Sequence, residues 1–290
     1  MFHTYIDIMA NFASTILLPK EFDKTHLSFG EPVPVGDKGA KFIPVKYKNV
    51  QGLKFQTPLL TQKWKVNTYP ASDPSEQTKH SLTLICSNSQ DPNDPEVENM
   101  IQVFKELDDT LLDLLGNPET KYYSKWFGKK TPPSREVLGA LQTKMIRPAR
   151  DKETGEETDR YPPSIGLKLS VYDGELKSSA YYPNKTKYAS PIKEEDINNV
   201  FQPGSSVMAM ARVTKVWVAG GKFGFSLMLG DALVHPPSIA PEVCPFRISD
   251  TAIDNDNDNV EAEIDNDNPE MDNSSNIRCD SDDEAIAVNG

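Results

Sequence analysis

The chain has 290 residues, with 31 Lys and Arg against 43 Asp and Glu, and its formal net charge of -12, taken whole, argues against a polyanionic partner. The charge is unevenly divided: from Asp250 onward ten Asp and four Glu face Arg278 alone, a net -13, which leaves +1 on residues 1–249. A body of about 250 residues buries a core without disulfides or metal, and Cys86, Cys244 and Cys279 lack metal-ligand spacing, which predicts a reducing, intracellular compartment.

The opening MFHTYIDIMANFASTILLP has no basic n-region and no Arg, a poor match to a signal or transit peptide, and it leaves Met1 and Met9 both open as the start. The longest apolar runs, such as 16–18 and 216–219, fall far short of the ~20 residues that cross a bilayer, so no membrane partner is expected. From residue 40 to 87, AKFIPVKYK, LKFQTPLL, QKWKVNTY and KHSLTLICS predict four strands. In the second, Leu53, Phe55, Thr57 and Leu59 face one way and Lys54, Gln56 and Pro58 the other, as a half-buried antiparallel sheet requires. Pro44 and Pro58 mark edges or bulges.

At Asp94-Pro95-Glu96 an N-cap, a proline at the first helical position and an early acid open a helix. Val97, Ile101, Phe104, Leu107, Leu111, Leu114 and Leu115 carry it at helical spacing to Gly116. Glu98, Glu106, Asp108, Asp109 and Asp113 form its solvated acidic face. A second helix is predicted over 119–127 and a third over 135–146, the latter weakened by Gly139. Residues 150–163 are charged and bounded by prolines, which predicts a mobile loop. Strand pairs follow at 164–172 with 176–182 and at 206–219 with 223–229, with a short helix at 193–201 between the two pairs. The last pair flanks Gly220-Gly221, a hairpin turn that needs positive φ.

Catalytic patterns are missing. His3, His26, His80 and His235 stand at no ligand spacing to another His or Cys, and no phosphate loop, nucleophile elbow or kinase set appears, so neither an enzyme nor a metal or other cofactor is expected. Tyr181 and Lys185 have YxxxK spacing, but Pro183 interrupts the helix that such a dyad needs.

The body instead interleaves cations with rings where acids are excluded. Residues 38–65 hold seven lysines and no acid, and 121–150 hold eight bases against Glu136 alone. Residues 176–193 and 197–230 are acid-free. Cations that follow phosphates and flat rings that stack on unpaired bases are what a single strand requires, and no basic recognition helix for duplex appears. The candidates are Lys63, Trp64, Lys65, Tyr122, Tyr123, Trp126, Lys129, Lys130, Arg147, Arg150, Tyr161, Lys168, Arg212, Lys215, Trp217, Lys222 and Phe223. Phe42, Phe55 and Phe225, at alternating apolar positions, are expected in the core. Alternation turns either Trp64 or its flanking lysines to solvent, but not both. Tyr122, Tyr123, Trp126 and Phe127 are too many rings for one buried stripe. The hairpin tip is expected to hold Lys222 and Phe223 out of the core.

The acidic segment repeats IDNDNDN as IDNDN, has no aromatic residue and should be disordered. Its candidate binding carboxylates are Asp254, Asp256, Asp258, Glu261, Asp265, Asp267, Asp282, Asp283 and Glu284, and Ser281 fits an acidic-directed kinase consensus. The Asp254, Asp256 and Asp258 spacing mimics a calcium loop without its glycine, terminal Glu or flanking helices.

Tyr161-Pro-Pro-Ser-Ile-Gly-Leu-Lys168-Leu and the block VWVAGGKFGFSLMLGDALVHPP, with the acidic end, give the chain its resemblance. It resembles the replicative single-stranded-DNA-binding proteins of podophages, and is still more similar to their relatives in nucleocytoplasmic large DNA viruses, over roughly residues 40–237. The resemblance implies a mainly β (α+β) chain: an OB-fold Greek-key barrel elaborated with helices, followed by the disordered tail. The domain plan is then an N-terminal extension at 1–39, the DNA-binding domain at 40–249 and the tail at 250–290. It also implies a basic, aromatic-lined cleft led by Lys168, Trp217, Lys222 and Phe223 with Tyr161 at its mouth, and a homodimer. The implied role is DNA replication, recombination or repair at the site of viral DNA synthesis, with the tail contacting a polymerase or helicase/primase. One departure is that the chain ends Ala-Val-Asn-Gly, with no ring beyond Phe246. The rival readings are an acidic-tailed chaperone or scaffold for basic proteins and an RNA-binding protein.

Overall fold

The structure is a computed structural model and describes residues 16–36, 39–70, 77–188 and 190–237. Expectations on the acidic segment, Ser281, Cys244, Cys279 and the choice between Met1 and Met9 lie outside the described residues.

In chain order the principal elements are β1 (Ala40–Tyr47), β2 (Leu53–Thr61), β3 (Asn67–Tyr69), β4 (Lys79–Ile85), α1 (Pro95–Gly116), α2 (Tyr122–Phe127) and α3 (Arg135–Leu141). There follow β5 (Gln142–Thr143), β6 (Ser164–Leu169), β7 (Ala180–Tyr181), α4 (Ile197–Val200), β8 (Ser206–Ala219) and β9 (Lys222–His235). β2 pairs with β4, β4 with β6, β6 in parallel with β9, β9 with β8, and β8 with β2 again. Five strands thus close a circuit in the order first, second, third, fifth, fourth, with only the third and fifth parallel. This mostly β arrangement with some helices is OB-like.

Local chemistry explains most of the elements. β2 alternates as expected, with Leu53, Phe55, Thr57 and Leu59 buried. At Pro58 the register against β8 slips between Leu59↔Met208 and Gln56↔Met210. Thr57 Oγ1 accepts the Ala209 N–H there (2.9 Å), giving that donor a partner within the bulge. Asp94 caps α1 by accepting the Glu96 N–H (2.9 Å), and Phe104 reaches Phe55 of β2 with ring centroids 5.4 Å apart. Gly220 and Gly221 take φ of +57° and +83°, which lets β8 turn directly into β9.

Several expectations need correction, among them the helix predicted over 135–146, which ends at Leu141 where Gln142 and Thr143 join β9. The strand predicted over 62–69 survives only as β3, because side-chain hydrogen bonds draw 62–66 out of the ladder. Buried Gln62 donates to the Trp64 and Phe201 carbonyls (3.0 and 2.7 Å), and Asn198 Oδ1 accepts the Val66 N–H (3.0 Å). Freed from alternation, Lys63, Trp64 and Lys65 are all exposed. Asp108 is buried and does not belong to the solvated acidic face of α1. The predicted 119–127 helix breaks at Lys121, whose φ is +59°. Residues 150–163 hold all but Ala149 of a small hairpin, Ala149–Arg150 against Glu157–Thr158.

β8 and β9 are longer than the barrel needs. β2 pairs with the 206–213 half of β8, whereas β1 pairs with Lys215–Val218, so the far half of the hairpin extends beyond the circuit. Its inner face, Phe223 and Phe225, still requires cover. Phe29 and the rings of α2 supply it: Phe127 meets Phe223 at 5.8 Å, and Phe29 lies 6.4 Å from Phe225 and 5.6 Å from Trp126. The 16–36 stretch, expected as part of an N-terminal extension, therefore packs on the domain, with Leu27–Phe29 and Val33–Val35 both paired to β1. No helix among the described residues is long and apolar enough to cross a membrane.

Candidate nucleic-acid interface

Residues directly opposite on neighbouring strands point to the same side of a sheet, so the register identifies which side chains share the outward face of the barrel. One transverse row reads Lys54 on β2, Arg212 on β8, Met228 on β9, Lys168 on β6 and Ser81 on β4. Three cations thus stand in one line within three strand spacings, roughly 14 Å. Burial, and next the Arg212 charge, hold the Lys54 ammonium below the usual lysine range, while Asp231 opposes the shift.

A fourth cation joins from outside the strands. Residues 142–147 cross from β9 to β6, where Arg147 exchanges two backbone hydrogen bonds with Ser164 (2.8 Å each). Its guanidinium lies flat over Gly166, with Cζ and both terminal nitrogens 3.2 Å from where a Cβ would stand. Gly166 and Lys168 alternate with buried Ile165 and Leu167, so Arg147 and Lys168 share the outward face. Gly230 provides similar room for Arg212, whose Cδ lies 3.1 Å from the corresponding point.

Along the hairpin the same face turns aromatic. Trp217 sits between Phe42 of β1 and Gly224 of β9, and only a glycine fits there, since a Cβ would meet the Thr143 carbonyl oxygen at 2.7 Å and Trp217 Cζ2 at 3.4 Å. Lys215 Nζ stands 5.3 Å from the Phe42 ring centroid. The outward face therefore offers half-buried rings at one end and cations across the middle.

Of the residues singled out in the sequence, the structure brings together Arg147, Lys168, Arg212, Lys215 and Trp217. It adds Lys54, which sequence reasoning did not select, and Phe42, which was expected in the core and is half-buried on the outward face. The alternation of β2 had already turned Lys54 outward; its neighbours Arg212 and Lys168 are set by cross-strand register. Others lie elsewhere. Trp64 is 48% exposed on the 62–66 loop with Lys63 Nζ 5.7 Å from its ring centroid. Lys129 and Lys130 are exposed just beyond α2, Lys222 at the hairpin tip, and Tyr161, 63% exposed, just before β6. Arg150 stands 3.7 Å from Glu157.

The stacking role expected of Tyr123, Trp126 and Phe223 is corrected. Trp126 is 1% and Phe223 0% exposed, Tyr123 is buried, and Tyr122 is half-buried against Trp126. These rings fill the space beneath the overhanging hairpin and present no open face to a base. No group of three or more metal-ligating side chains occurs among the described residues. Two surface cavities, of about 200 and 290 Å³, lie at 176–192 and 117–132 and contain none of the row.

Behind the face, burial pushes the Asp108 carboxyl up to about 7 from 3.8, against the lowering effect of the Met145 N–H that it accepts. The folded chain therefore holds a proton that the unfolded chain loses, and stability falls as pH rises from about 4 to about 7. Asp108→Asn should abolish this dependence. In urea unfolding its advantage over the wild type grows across that interval to on the order of 3–4 kcal/mol, and a parallel pH course for both proteins would refute it.

No family model matches the chain, and no curated protein matches it. Among solved structures, the chain is similar to those of a single-stranded DNA-binding protein from bacteriophage Enc34. The one in complex with single-stranded DNA has 11% identity and a TM-score of 0.34, covering 71% of this chain and 94% of that one. A C-terminal truncation has 12% identity and a TM-score of 0.33, covering 71% and 97%. A third structure of that protein has 12% identity and a TM-score of 0.33, covering 74% and 96%. At such identity the function of this chain has to be read from its own residues.

Proposed function

We propose that this chain binds single-stranded DNA, without catalysis, along the outward face of an OB-fold Greek-key barrel, in DNA replication, recombination or repair. The observation that carries the reading is the cross-strand register that places Lys54, Arg212 and Lys168 in one row, with Arg147 beside it and Trp217 on the same face. The cations follow the phosphates and the rings take unpaired bases, a combination that tolerates any sequence. The acidic segment 250–290 competes with DNA for this face and, once displaced, recruits a polymerase or helicase/primase.

Tryptophan fluorescence on titration with oligo-dT, oligo-U and a histone tests the reading. Saturable quenching by oligo-dT, weakened by salt, is expected; a response to the histone alone would instead favour a scaffold for basic proteins, and a preference for oligo-U an RNA-binding protein. Truncation after Ser249 is expected to tighten binding of short, weak oligonucleotides by ~10-fold at low salt, with the difference vanishing at high salt as the competing charges are screened. Weaker binding after truncation would overturn the competition.

A further inference from the structure

We propose that Asp108, inside the helical layer, is a positioning residue for Arg147: it ties down the 142–147 strap that lays the guanidinium on the outward face of the barrel. The proposal rests on the reading of that face as a single-strand surface.

The strap is held at three places. At its start Gln142 and Thr143 pair with Phe223 and Gly224 of β9. At its end Arg147 exchanges two backbone hydrogen bonds with Ser164 of β6. Between them the chain leaves both strands, and Met145 and Ile146 turn into the core. A buried backbone N–H there needs an acceptor, and no strand lies opposite to provide one. Asp108 provides it from α1, its Oδ2 accepting the Met145 N–H at 2.8 Å. Gln142 Nε2 makes a second tie, donating to the Asp108 carbonyl oxygen at 3.0 Å and standing 3.4 Å from Oδ1. Both ties converge on one residue of α1.

The consequence falls two residues on. Arg147 does not reach the outward face from a barrel strand; it arrives on the strap, and its guanidinium rests on Gly166, which has no side chain to hold it. Its placement therefore depends on where the strap backbone is fixed. An apolar side chain at 108 would leave the Met145 N–H without its acceptor, so the strap would shift to satisfy it and carry Arg147 off Gly166. Lys54, Lys168 and Arg212 sit on β2, β6 and β8 and would stay in place.

The test uses the full chain with Asp108→Leu, Asp108→Asn, Arg147→Ala and the Asp108→Leu/Arg147→Ala double variant, each confirmed folded, and oligo-dT binding measured across a salt series. Arg147→Ala is expected to lower the slope of log K against log salt by about 0.7, one phosphate contact on a single strand, and to weaken low-salt binding ~3- to 10-fold. Asp108→Leu should reproduce both effects, the double variant should add nothing to Arg147→Ala, and Asp108→Asn, which keeps an acceptor for Met145, should restore the wild-type slope. A general loss of stability would not lower the slope or merge with Arg147→Ala in this way. An additive double variant, or an unchanged slope in Asp108→Leu beside a reduced one in Arg147→Ala, overturns the positioning role. A silent Arg147→Ala overturns the place of Arg147 in the interface itself. Should Asp108→Leu fail to fold, Gln142→Leu removes the other tie and is read against Arg147→Ala in the same way.

Discussion

Replacing Arg212 and Lys168 together with alanine is expected to weaken oligo-dT binding by ~100-fold at low salt and to lower the slope of log K against log salt by about 1.4, two phosphate contacts. Both side chains are exposed and neither holds the core, so the melting temperature should stay close to that of the wild type. The double replacement removes two of three cations from a row that crosses β2, β8, β9 and β6, and no other strand-borne cation stands in that row. An equal replacement at Lys129 and Lys130, exposed beyond α2 and off the row, should change the slope far less. If both pairs lowered it equally, binding would depend on overall charge and the row would have no special role.

The second large effect separates rings that carry the fold from rings open to a ligand. Trp126→Ala and Phe223→Ala each empty a fully buried aromatic site under the overhanging hairpin, and each should cost about 3–5 kcal/mol in urea unfolding. Trp217→Ala, on the outward face, should change stability much less and cost about 1–3 kcal/mol of binding, the usual scale for one stacked base. Tryptophan quenching should follow the same division, lost with Trp217 and retained when Trp64 is replaced by phenylalanine. A stable Trp126→Ala protein with impaired binding would return that ring to the interface and overturn the packing described for the hairpin.

Much of the architecture was legible because it is set by neighbours in sequence. The cap at Asp94 and the helical spacing to Gly116 predict α1, the alternation around Phe55 predicts both faces of β2, Pro58 predicts an edge or a bulge where the bulge forms, and Gly220-Gly221 predicts the hairpin turn. The 62–69 stretch was misread because Gln62, Asn198 and Phe201 act across more than 130 residues to pull it from the ladder. The site was legible in part: the excess of cations over acids around Arg147, Lys168 and Arg212 was visible, and so was the outward turn of Lys54.

Composition and periodicity determined that the net charge of -12 averages a near-neutral body and an acidic segment of -13, that the body is mostly β with one long capped helix, and which side of β2 faces outward. These are properties of short stretches, decided by side-chain type and a period of two or 3.6. Tertiary structure alone decided which outward residues meet. Register across the closed circuit puts Lys54 beside Arg212, a strap tied to Asp108 delivers Arg147 to Gly166, and the length of the hairpin beyond the barrel turns Trp126 and Phe223 from open rings into core. Each depends on pairing or cover between distant segments, where burial is settled by what lies opposite and not by the residue itself.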